Sequence, residues 1–292
     1  MFETLVGNCC RTGSGLPQML RPCPALITLN DMLLTTRSKK VQEIFRTRHA
    51  VLEENRAQAE RRVSPHNPLR DELPDGAWTG QACFVIGGGP SLTGFDFERL
   101  RGRGRVIAIN RAFEFIPWAD MLFFMDWKFY KRCHEPGLIQ KWNDFQGHKV
   151  FLNLMGRKLD DCRSVRSLGR HGFSASHAKG LYHGNNSGHG ALLMALALGC
   201  RPVYLLGYDM NADQRGRSHW HGGYGHRPNP TVARSFARDL TDLAGRIPKS
   251  VDWIFNLNPR SGLRAFPFKS VDEVLNGQAG EGLGPDVVPL SQ

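Results

Sequence analysis

Short apolar runs punctuate the middle of the chain at Ala82–Ile86, Val106–Ile109, Met121–Met125, Val150–Leu154, Val203–Leu206 and Trp253–Phe255. Loop or helical segments separate them. That alternation predicts βα units. The expected fold class is α/β: a Rossmann-like, mainly parallel sheet flanked by helices. One helix stands out. Residues 187–199 contain GHGALLMALALG, apolar almost all round, with Gly199 as its stop signal.

The flanks differ from this middle. Residues 1–31 carry Gly, Pro and Cys without periodicity and are expected as a disordered tail. From Asp31 to Arg62 there is neither Gly nor Pro, and Val41, Ile44, Phe45 and Leu52 form a narrow apolar stripe. Its neighbours Arg37, Lys39, Lys40, Arg46 and Arg48 are basic. The segment reads as a solvated helix docked on the core or as an arm that binds an anionic partner. Pro65, Pro68 and Pro74 mark a linker. This gives a basic helical arm and linker over 32–75, a catalytic domain over 76–268, and a flexible tail over 269–292. Residues 156–186 are polar and aperiodic, so an irregular lid is expected there.

The candidate chemistry lies at the carboxyl end of each run. Gly87-Gly88-Gly89-Pro90-Ser91-Leu92 comes after the first, Asn110-Arg111 after the second and Asp126 after the third. Asn153 lies in the fourth, Gly207-Tyr208-Asp209 comes after the fifth, and Asn256 and Asn258 after the last. Ligands of open parallel sheets bind outside the carboxyl ends of the strands. Three glycines after a buried strand let a ligand approach the backbone, and Ser91 adds a hydroxyl. The loop is neither a Walker A sequence nor G-x-G-x-x-G. Asn185-Asn186-Ser187-Gly188-His189 opens the apolar helix, offering N–H donors to an anion or simply capping the helix. Ser218-His219-Trp220-His221, with Tyr224 and His226 behind, supplies imidazoles that titrate near neutrality. Their spacing matches no familiar zinc pattern.

Charge adds one constraint. The 292 residues hold 38 Lys and Arg against 27 Asp and Glu, a formal +11. An anionic partner is expected: nucleotide phosphates, nucleic acid or an acidic membrane surface. No nucleic-acid reading motif accompanies the charge. Seven cysteines without a CxxC pair argue against a disulfide framework and fit a reducing, cytoplasmic setting. No apolar run is long enough to span a bilayer. Oligomeric state is not legible.

Taken in order, GGGPSL, Asn-Arg-Ala-Phe after the second run, SGHGALLMALALGCRPVYLLGYDM, Ser-His-Trp and Asn-Pro-Arg-Ser-Gly-Leu resemble the bacterial sialyltransferase family that builds lipooligosaccharide outer cores. The resemblance covers roughly residues 81–268. It implies a CMP-activated sugar donor, no tightly bound cofactor, and metal-independent inverting transfer. It implies His219 as general base and Gly87, Gly88, Gly89, Asn110 and Ser187 as nucleotide contacts. Ser91, Arg111, Asn186, Gly188 and Asp209 complete the expected seat. Asp126, Asn153, Tyr208, Tyr224 and His221 are secondary candidates, the two tyrosines for phosphate. Gly88 stands where that family carries Asn.

The opening also resembles the archaeal-type 6-hydroxymethylpterin diphosphokinase family, in its Gly-Pro-Ser-Leu loop and in Ala119-Asp120 and Asp126. That resemblance implies ATP and Mg²⁺, with Asp126 and Asp209 as metal ligands and Asp120 in support. A non-catalytic nucleotide-fold module, with 32–62 as its contact arm for nucleic acid or an assembly partner, is the third reading.

Overall fold

The structure, a computed structural model, describes residues 67–222, 229–248 and 253–277. The tail over 1–31, the basic helix over 31–62 and Pro65 lie outside the described residues, as do 278–292.

Among the described residues, eight parallel strands form one sheet: β1 (Cys83–Ile86), β2 (Arg105–Ile109), β3 (Met121–Phe124), β4 (His148–Asn153), β5 (Arg163–Gly169), β6 (Leu181–Tyr182), β7 (Val203–Leu206) and β8 (Ile254–Asn256). Their order is β6-β5-β4-β3-β2-β1-β7-β8, and every pairing is parallel. The α/β reading is borne out. Each of the six apolar runs matches a strand, with ends shifted by at most two residues.

The runs are continuously apolar because both faces of the sheet are covered. Cys83, Val85, Ile107, Phe123, Val150 and Leu205 point to one face. Phe84, Ile86, Val106, Phe124, Phe151 and Leu206 point to the other. The first face packs on α3 (Ser187–Ala197) and on Leu240 and Leu243 of α4 (Pro230–Arg246). The second packs on α1 (Trp127–Cys133), α2 (Ile139–Asp144), α5 (Val271–Gly277) and short 3₁₀ turns. Gly199 ends α3 in the left-handed region, at φ +78°.

Three expectations change. Residues 156–186, read as an irregular lid, contain β5 and β6, because Arg163–Gly169 pairs along β4 despite its polar composition. The linker reading fails over 67–75. Leu69 is buried there, and just beyond, the Gly76, Trp78 and Gly80 amides donate to carbonyls of Ala197, Leu198 and Gly199. The tail over 269–292 begins with α5, whose Val274 and Leu275 are buried.

Candidate functional site

The chain lays down β1 to β6 in spatial order, then returns to place β7 on the other flank of β1. The winding reverses between β1 and β7, where open α/β sheets bind ligands. The loops leaving these strands are zipped together. The Gly87 amide donates to Leu206 O and the Gly89 amide to Gly207 O, each at 2.8 Å. A Cβ on Gly87 would lie 2.7 Å from Gly207 O, and one on Gly89 2.5 Å from Asp209 Cγ. These two glycines are demanded by the approach of the protein's own backbone, whereas the sequence pattern assigned them to the approach of a ligand.

Asp209 fastens the seam. Its buried carboxylate accepts from the Ser91 amide and hydroxyl, both at 2.6 Å, and from Asn258 Nδ2 at 2.9 Å. Ser91 and Asp209, expected in the nucleotide seat, therefore serve each other. A buried carboxylate persists when donors satisfy it.

Above the loop lies the segment 218–222. The Trp220 amide donates to Gly88 O at 3.1 Å, and its Nε1 donates to Gly87 O at 3.0 Å. The indole also packs on Phe97 and Phe115. This strap holds His219 and His221 over Gly88, their rings 5.7 Å apart. His219 Nδ1 meets Ser218 Oγ at 2.8 Å. His221 Nδ1 lies 3.3 Å from Gly222 O, and its ring stacks on Phe115. Burial pushes the His219 imidazole below its usual range. Burial, reinforced by His219 and Arg111, pushes His221 down to about 4. Both shifts favour the neutral ring.

The expected second constellation forms on the neighbouring strand end. Asn110 takes a left-handed conformation at the end of β2, φ +49°, and Asn185 does so before α3, φ +59°. Asn tolerates that region, and such residues gather at functional sites. Asn186 Oδ1 caps the His189 amide at 2.9 Å. The Ser187 hydroxyl reaches Asn110 Oδ1 at 3.4 Å. Asn110, Ser187 and Gly188 are thus brought together with the positive end of α3.

Other candidates are drawn elsewhere. Arg111 is buried against Glu114, and its Nη1 donates to Gly222 O at 2.8 Å, so its guanidinium anchors the histidine segment. Tyr208 is buried with its hydroxyl on Gly188 O at 2.8 Å, which removes it as a phosphate ligand. Asn153 binds the backbone of Met155 and Arg157. Asp126 caps α1 through the Lys128 amide. Tyr224 and His226 lie outside the described residues. Sequence reading missed Glu114 and Phe115; the i,i+3 spacing of Arg111 and Glu114 was the available signal.

A resident Mg²⁺ does not fit these residues. The Asp209 oxygens are taken by Ser91 and Asn258, and Asp126 is committed to its helix. Among the described residues no group of three His, Cys, Asp or Glu side chains is placed to hold a metal ion. Two open clefts of about 380 and 490 Å³ lie at the opposite, amino edge and share Gln146, Gly147 and His148. Among their charged groups, Arg105 pairs with Asp120 and Arg163 with Glu72. The candidate site residues described above lie at the carboxyl edge.

No protein-family model and no curated protein matches the chain. Two solved structures are similar. One is the Maf glycosyltransferase from Magnetospirillum magneticum AMB-1, 17% identical over 76% of this chain, with a TM-score of 0.47. This chain covers 37% of that protein. The other is the sialyltransferase CstII from Campylobacter jejuni in complex with a substrate analogue, cytidine-5′-monophosphate. It is 16% identical over 66% of this chain and 86% of its own, with a TM-score of 0.40. No helix among the described residues is long and apolar enough to cross a membrane.

Proposed function

We propose that the chain is a glycosyltransferase that uses a nucleotide-activated sugar, a CMP-sugar in preference, and inverts the anomeric centre without a metal ion. The observation that carries this reading is the placement of His219. A partly buried imidazole, whose burial favours the neutral form, is strapped over the glycine loop, on the strand edge that also holds Asn110 and the start of α3. A neutral imidazole is what a general base requires. The Ser218 hydroxyl can accept from Nδ1–H, and that tautomer puts the lone pair on Nε2.

In the proposed step His219 Nε2 takes the proton of an acceptor hydroxyl as its oxygen bonds to the anomeric carbon. The bond from that carbon to the nucleotide phosphate breaks, and its electron pair leaves with the phosphate. The Asn110 side chain, Ser187, Gly188 and the Gly88 backbone are the proposed nucleotide contacts, with the dipole of α3 favouring the leaving phosphate. Ser91 and Asp209 hold the loop in place.

The test is a thermal-shift screen of CMP, CDP, UDP, GDP and ATP, with and without Mg²⁺. A cytidine nucleotide should raise the melting temperature most, equally with EDTA present. A shift confined to ATP with Mg²⁺ would sink the reading. His219→Ala should abolish transfer and retain nucleotide binding.

A further inference from the structure

Asn153 has no task in the step above, and its buried side chain is spent on the loop that follows β4. Its Nδ2 donates to Arg157 O at 2.8 Å, and its Oδ1 accepts from the Arg157 amide at 2.9 Å. The backbone of Arg157 is thereby fixed to the sheet. Its side chain is fixed as well, because the guanidinium carbon lies 4.2 Å from the centre of the Trp127 ring. Trp127 stacks in turn on Tyr130, with the rings 5.0 Å apart. Asp161 anchors that column by accepting from the Tyr130 hydroxyl and from Trp142 Nε1.

A guanidinium held this way has given up rotamer freedom, yet no carboxylate meets it among the described residues. Its Nε is buried without a hydrogen-bond partner. Its Nη2 reaches only Met155 Sδ, a weak acceptor, at 3.9 Å. Asp126, next to Trp127, is engaged in capping α1. A second guanidinium stands beside the first. Arg166 of β5 is in register with Asn153, so these two side chains leave the sheet on the same side. Arg166 is partly exposed and makes no ion pair among the described residues. Lys158 adds an exposed cation. Solvent reaches this corner, where Met155 is 70% exposed.

We propose that Arg157 and Arg166 form an anion subsite beyond the carboxyl ends of β4 and β5, which receives a phosphate or carboxylate carried by the acceptor. Arginine forks match the oxygens of both groups, and open parallel sheets take their ligands outside these strand ends. β4 is three strands from β1, a span of about 14 Å at about 4.8 Å per strand. An acceptor with its reacting hydroxyl at His219 and its anion at Arg157 is therefore longer than one sugar ring. That the anion belongs to an acceptor rests on the glycosyltransferase reading; the subsite itself does not.

The experiment is a ligand-observed NMR titration of the full chain, in excess CMP, with inorganic phosphate, methyl glucuronide and methyl glucoside. Phosphate and the glucuronide should bind, and the neutral glucoside should not. Arg157→Gln and Arg166→Gln should each weaken both anions by about tenfold or more and leave CMP affinity within about twofold of wild type. Arg157→Lys keeps the charge without the fork, so it should recover phosphate but not the glucuronide. No saturable binding of either anion to wild type would overturn the subsite. So would anion affinities unchanged in both Gln variants. Anion binding that depends on both arginines, in a chain that does not bind CMP, would keep the subsite and sink the CMP-sugar reading.

Discussion

Asp209 was a candidate ligand for substrate or metal, and its surroundings make it a fastener. Three donors converge on a carboxylate that is 3% exposed. Removing it leaves the buried Asn258 amide without its acceptor, at about 1–3 kcal/mol, whereas water can reach Ser91, which is exposed. Asp209→Ala should therefore lower unfolding stability by about 1–3 kcal/mol in urea titration. A loss below about 1 kcal/mol would show that the seam does not need it. Arg111 obeys the same logic. Its pair with Glu114 is buried, with side-chain exposures of 11% and 4%. Breaking such a pair from one side costs about 3–5 kcal/mol. Glu114→Ala should destabilise the fold by that order and loosen the histidine segment, which Arg111 holds through Gly222 O.

At the scale of elements, α3 is the pivot. It is buried over nearly its whole circumference, so its sequence has no polar face and its ends carry the polar work. Asn186 caps its first turn, and losing such a cap costs about 1 kcal/mol. Asn186→Ala should reduce stability by that amount and weaken nucleotide binding beyond it, because the same turn presents Ser187 and Gly188. Equal affinity in the two proteins would separate the cap from the site. The β1–β7 seam is less forgiving. Gly89→Ala would push a methyl to 2.5 Å from Asp209 Cγ and 2.6 Å from Gly207 O. Overpacking of this kind costs about 1–3 kcal/mol.

For the whole molecule, buried histidines set the response to acid. His189 is 2% exposed with neither ring nitrogen hydrogen-bonded. Burial first, then His183, pushes it down to about 4. His221 is pushed down equally far. An unfolded histidine takes its proton near pH 6.5. Between that pH and about 4, the unfolded chain binds protons that the folded chain refuses. Stability is thus complete above pH 6.5 and declines as pH falls toward 4, by up to about 3 kcal/mol per site. Melting curves from pH 7.5 to 4 should show this decline, and His189→Leu should flatten it. An unchanged slope in the variant would assign the decline to other groups.

How much of this was legible beforehand differs between fold and site. The strands from 82 to 255 and the helix from 187 were readable because burial leaves a local imprint: an apolar run where both faces are covered, a glycine where a helix must stop. β5 was not, since Arg163–Gly169 owes its strand form to pairing with β4 rather than to its own side chains. The glycine loop, Asn110, Ser187 and the histidine segment were also visible as polar punctuation at strand ends. Their division of labour was not. Whether a glycine faces a ligand or another backbone depends on which loop returns beside it, and Trp220 meets Gly87 across 133 residues of chain. The sequence by itself determined where the polar groups lie along the strands. Only the tertiary structure decided that Asp209 and Tyr208 turn inward, that Arg111 serves as an anchor, and that His219 and His221 meet over Gly88, because those outcomes depend on sheet order and long-range packing that no local pattern encodes.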